Sequence, residues 1–134
     1  MPKILFCACS QLVSVDRYTN TLSLFQIIEQ VNAGTFPLRL PELFISSLWK
    51  REDGDAGLPF ESIVRFIDPA GHIKGEWKAE WAFAQPRHRH ILLIPNVEFD
   101  SPGTYRFDTY IKKRGDVEIG GPVSTIEIVA QQVQ

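Results

Sequence analysis

From Ile73 to Phe83 apolar and charged positions alternate one for one. Ile73, Gly75, Trp77, Ala79, Trp81 and Phe83 fall on one side, with His72, Lys74, Glu76, Lys78 and Glu80 on the other. A period of two held this long predicts a strand with one dry and one wet face. Trp77 and Trp81 lie on the dry side and are expected in a core, the rival reading being an exposed aromatic platform for a ligand or base. The preceding run, Ile63 to Ile67, leads into Asp68-Pro69-Ala70-Gly71. Proline presets the first central turn position there and glycine closes a type I turn with a bulge, so the two runs read as a hairpin.

The same alternation places the other elements. Lys3 to Val15 reads as a strand with Leu5, Cys7, Cys9, Gln11 and Val13 on one face and Ile4, Phe6, Ala8 and Ser10 on the other. Both sides are apolar at its start, which predicts cover on both faces. The turn formers of Asp16–Asn20 precede a return strand at Leu22–Phe25, and the spacing over residues 26–32 allows either a short helix ended by Asn32-Ala33-Gly34, the favoured reading, or a continuation of the strand. Phe36 to Pro41, with two prolines, is expected to be an extended connector over the body of the fold. Leu43 to Lys50 is a strand carrying Trp49, and Arg51–Gly57 is a mobile polar loop. Arg87 to Pro95 makes a further strand whose phase turns His88 and His90 inward. The last, Val123 to Ala130 after Gly120-Gly121-Pro122, is expected at a sheet edge.

The stretch Phe99-Asp-Ser-Pro-Gly-Thr-Tyr-Arg-Phe-Asp-Thr-Tyr-Ile111, preceded by Leu92, Ile94 and Val97, resembles the corner pattern of immunoglobulin-like domains. That resemblance implies a tyrosine corner in which the Tyr105 hydroxyl bonds back to backbone, with Gly103 at the bend and Asp100 standing beside the position that is usually aspartate. Phe107 occupies the place of the usual cysteine, so packing replaces the disulfide. The expected fold is all-β: one immunoglobulin-like antiparallel β-sandwich of about seven to nine strands over residues 1–134. Taken whole, Val-Asp-Arg-Tyr-Thr-Asn-Thr-Leu-Ser-Leu-Phe, Phe-Pro-x-x-x-Pro, Asp-Pro-x-Gly and Pro-Gly-Thr-Tyr-x-Phe are similar to a family of short uncharacterised bacterial proteins. The likeness implies no substrate, cofactor or catalytic residue.

Composition narrows the function classes. A net charge of −2 gives no global attraction to nucleic acid or anionic lipid. Nothing reads as a signal or membrane span, so a soluble cytoplasmic protein is expected. Cys7 and Cys9 share a strand face two residues apart, an arrangement suited to buried reduced thiols. His88-x-His90 puts two imidazoles on one strand face, the weak candidate for a metal or small-ligand site. Cys7 and Cys9 complete it only if no strand intervenes, and His72, Glu76 and Glu80 lie on the wet face of another strand. Arg87-His88-Arg89-His90, with Lys112-Lys113-Arg114 near Tyr110, is the one basic cluster for single-stranded nucleic acid, and it is short. No nucleophile elbow or phosphate-cradling loop is present. The sequence therefore points to a non-enzymatic interaction or assembly module without cofactor. Such a module binds a protein partner or another copy through loops or edge strands, the proline-rich connector and last strand foremost.

Overall fold

The computed structural model describes residues 1–134 and contains no helix. Nine strands follow in order: β1 (Lys3–Val15), β2 (Leu22–Ile27), β3 (Gln30–Ala33), β4 (Leu38–Lys50), β5 (Phe60–Ile67), β6 (Ile73–Trp81), β7 (Arg87–Phe99), β8 (Gly103–Lys113) and β9 (Ser124–Gln132). They pair as two sheets, β2-β1-β4-β7 and β3-β9-β8-β5-β6. Every pairing is antiparallel except β3 with β9. With β2 set aside, this is the order of an immunoglobulin-like sandwich, the expected class.

The two inner faces meet in one principal core. Val64, Phe66, Tyr105, Phe107 and Ile128 come from one sheet, and Cys9, Leu43, Ile45, Ile94, Val97 and Phe99 from the other. Phe66 is its hub, stacked on Phe107 at 4.7 Å and Tyr105 at 5.5 Å and edge-on to Phe99 at 5.6 Å. Phe107 is fully buried where a cysteine stands in disulfide-bonded relatives of the fold. A second cluster of Trp49, Phe60, Phe83 and Ile111 fills the opposite end, with Ile4, Leu58 and Trp81 against it. Trp77 and Trp81 are half-buried, because β6 is an edge strand covered from one side only. The Trp77 ring folds back over Gly75, where an added Cβ would meet it at 2.5 Å.

The bend between β7 and β8 passes the chain from one sheet to the other. Tyr105 is buried, and its hydroxyl donates to the Ser101 carbonyl at 2.9 Å while the Ser101 N–H donates back at 3.2 Å. Gly103 has φ of 148°, and a Cβ there would strike Pro69 at 2.6 Å. Asp100 pairs instead with Lys74. The β5–β6 turn that supplies Pro69 closes through Gly71 N–H to the Asp68 carbonyl at 2.9 Å, while the Asp68 carboxylate accepts from the Ala70 and His72 amides. The hairpin and the bend thus rest on each other.

Several expectations are corrected. The helix near residues 26–32 is absent: Gln26 takes φ of 55°, and Val31 and Ala33 then alternate buried with exposed Gln30 and Asn32 in β3. In β1 a bulge between Ile4 and Phe6 shifts the phase, so Ile4 packs inward with Cys7 and Cys9 while Leu5 and Phe6 are exposed. The Phe36–Pro41 segment becomes strand from Leu38. It pairs only with β7, the ladder omits the pair Pro41 and Asn96, and Asn96 has φ of 53°. A missing N–H is tolerable where one side has no neighbour. The Arg51–Gly57 loop is tied to Asp55, 2% exposed, whose carboxylate accepts the Glu52 amide at 3.0 Å. The last strand is flanked by β8 and, over Val129–Gln132, by β3, so it is an edge only at its start.

Replacing Tyr105 by Phe leaves the Ser101 amide and carbonyl without their partner and is expected to cost about 1–3 kcal/mol in urea unfolding. Tyr18→Phe, on an exposed side chain, should stay within about 0.5 kcal/mol.

Candidate interaction surface

The inward phase of β7 brings His88 and His90 toward the second core cluster. The His88 ring lies on Trp81 at 4.3 Å and 14°, and Trp81 Nε1–H donates to Ser62 Oγ at 3.2 Å. His88 and His90 stand 6.4 Å apart with planes 15° from parallel. In-plane lone pairs of rings stacked this way do not converge on one point, and no group of three or more His, Cys, Asp or Glu is assembled to hold a metal ion. Ser47 of β4 lies between Cys7 and His90 in one cross-strand row. Two strand spacings, about 10 Å, therefore separate thiol from imidazole strands. Both thiols are free, and burial raises Cys7 and pushes Cys9 up to about 12, with Cys7's charge adding to the effect. These are inert thiols rather than nucleophiles.

The basic cluster is likewise dispersed. Arg89 donates to the Asn20 side chain and carbonyl, Lys112 pairs with Glu61 at 3.6 Å, and Arg114 with Glu80 at 3.4 Å. Arg65 covers the Tyr110 ring at 4.9 Å while bound to Glu76 at 2.7 Å. The outer face of the β8–β5–β6 sheet is a lattice of opposite charges, and its aromatic platform is already occupied.

What the fold leaves open is its edges. Strands β2, β7, β3 and β6 end the two sheets. Unpaired backbone at an edge invites another chain, and proteins blunt edges with charge, proline, bulges or brevity. Three of the four are blunted in this way. β3 has four residues, β6 alternates Lys and Glu along its wet side, and β7 carries Arg87 and Arg89 at one end and Pro95 at the other. β2, Leu22-Ser-Leu-Phe-Gln-Ile27, has neither charge nor proline, and Gln26 is its single irregular position.

β2 belongs to a hairpin that leaves the sandwich after Ser10. Beyond that point β1 pairs only with β2, through Leu12 with Phe25, Val13 with Leu24 and Val15 with Leu22. Asp16 builds the turn: its carboxylate accepts the Tyr18 and Thr19 amides and its own amide donates to the Thr21 carbonyl. Those hydrogen bonds lower the Asp16 pKa. At the foot, Ile28 N–H donates to the Cys9 carbonyl at 2.9 Å and returns the chain to the sandwich. The tip is held to β7 through Asn20 and Arg89. The hairpin is therefore a braced ribbon, and its free surface is apolar: Leu12 is 55% exposed, Phe25 49%, Ile27 56% and Tyr18 85%. Beside the foot lies a hollow of about 340 Å³ bordered by Ile27, Val31, Leu38 and Leu40. The sequence reading placed the hairpin but passed over its edge. The signal was there in six consecutive residues without a charge.

Burial holds the His88 and His90 imidazoles below their ordinary range, with His90's charge adding for His88. A folded pKa below the unfolded value means the unfolded chain binds more protons as pH falls. This contribution to stability is complete above pH 6.5 and is lost as pH drops below it toward the folded values. Urea midpoints measured at pH 7.5 and 5.5 should fall toward acid, and His88→Phe, which keeps the ring on Trp81, should reduce that fall.

The sequence matches no curated protein at a significant level. Among solved structures it resembles the CARDB domain of a Pyrococcus furiosus protein crystallised in complex with di-metal ions, with a TM-score of 0.49 and 11% identity over 96% of this chain and 94% of that one. A family profile described as "Family of unknown function (DUF6941)" matches residues 5–118, and the chain belongs to that family.

Proposed function

We propose that this protein is a non-enzymatic interaction module that binds by adding a strand of another chain to the open edge of β2. One observation carries the reading: of four sheet edges, only β2 is without charge and without proline while exposing large apolar side chains beside its unpaired backbone. Edge addition takes its affinity from main-chain hydrogen bonds and its selectivity from alternate side chains, here Phe25 and Ile27 with Leu12 behind them. The braced turn and the fastened foot hold the ribbon in its binding shape beforehand, which lowers the ordering cost of association.

Cross-linked affinity capture of the tagged chain from its own cells should recover a protein, either untagged copies or a different chain. Phe25→Lys, which alters an exposed side chain and plants a gatekeeper charge on the edge, should abolish that recovery. Amide exchange at Leu22–Ile27 should slow in the captured complex. Equal recovery with wild type and Phe25→Lys, or unchanged exchange in β2, overturns the reading.

A further inference from the structure

Resting on that reading, we propose that the strand added to β2 is β2 of a second copy, giving a twofold dimer with an eight-stranded sheet. Three features of the hairpin fit this occupant. An uncharged edge meets its own copy without like-charge repulsion, as an edge carrying Lys or Arg does not. A twofold axis through Leu24 pairs Ser23 with the other copy's Phe25 and Leu22 with its Gln26, so the same ribbon face stays outward in both copies.

The second feature is charge. Antiparallel pairing sets the turn of each hairpin beside the foot of the other. The turn carries Arg17, whose guanidinium touches only the neighbouring Tyr18, at 3.2 Å to its hydroxyl and 5.1 Å to its ring. The foot carries Glu29, an exposed carboxylate. Neither forms an ion pair within its own chain, although nine ion pairs exist elsewhere in it. In this register Leu22 pairs with the other copy's Gln26, so the Asp16–Thr21 turn of each copy comes beside the foot of the other, where Arg17 and Glu29 are unpaired charges of opposite sign. The symmetry makes the pair twice.

The third feature is shape. Tyr18, the most exposed aromatic side chain, sits at the same turn. The hollow bordered by Ile27, Val31, Leu38 and Leu40 sits at the same foot, rimmed by the amides of Gln11, Gln26 and Gln30. Its walls suit a phenol ring and its rim suits the hydroxyl. Each copy thus presents both a projecting ring and a hollow for one, at opposite ends of a single strand.

The purified full-length chain is measured by light scattering over a concentration series. A dimer of twice the 15.2 kDa chain mass is expected. Phe25→Lys should weaken it by about tenfold or more, given the usual cost of a hot-spot loss. Leu93→Lys, equally exposed on β7, should leave it unchanged. Arg17→Glu and Glu29→Arg should each weaken the dimer by about three- to tenfold, and the double exchange should restore it, as a symmetric pair of exposed ion pairs requires. Leu24→Cys should give an oxidised covalent dimer. A wild type that stays monomeric while a different protein is captured through β2 overturns self-pairing and leaves the interaction reading in place. A dimer indifferent to Phe25→Lys and to the charge exchange overturns self-pairing through β2 as well.

Discussion

Everything in this molecule depends on how the chain turns from β7 into β8. Only Asp100, Ser101 and Pro102 lie between the two strands, and those strands belong to different sheets. The Tyr105 hydroxyl, giving one hydrogen bond to Ser101 and taking another, fixes the angle of that passage. The Tyr105 ring also stacks on Phe66 and meets Phe99 edge-on. One side chain therefore sets both the separation of the sheets and the interdigitation of the core between them. Once that distance is fixed, the inside and outside of the regular strands follow from alternation, and the bulge in β1 marks where the phase changes.

Much of this was legible in the residues. The Asp68–Gly71 turn, the dry face of β6 and the bend each have a local chemical cause, and local causes can be read from a single sequence. The inward histidines follow from strand phase alone. Three things were not legible because their causes lie elsewhere in the chain. The bulge that redirects Ile4 exists because two clusters must both be filled. Pro41 enters a strand because β1 departs at Ser10 and leaves its neighbour's side empty. Residues 30–33 are a strand because β9 is there to receive them. Tertiary partners outweighed propensity in all three.

The candidate surface shows a different limit. Apolar residues at Leu12, Phe25 and Ile27 look like core by composition, and only the topology shows that no second sheet covers them. The charged lattice on the outer face of the other sheet offers the contrast. There Arg106 and Asp108, Lys112 and Glu61, and Arg65 and Glu76 satisfy one another within the chain. The molecule is self-sufficient on one side and unfinished on the other.

The bond from Ile28 N–H to the Cys9 carbonyl fastens the two ends of the hairpin together where they meet the sandwich. Residues between them form a closed detour. None of residues 10–27 belongs to either packed cluster, so a side chain can be shortened there without opening a void between the sheets. The stretch that faces outward and the stretches that fill the interior are thereby separate parts of one short polypeptide.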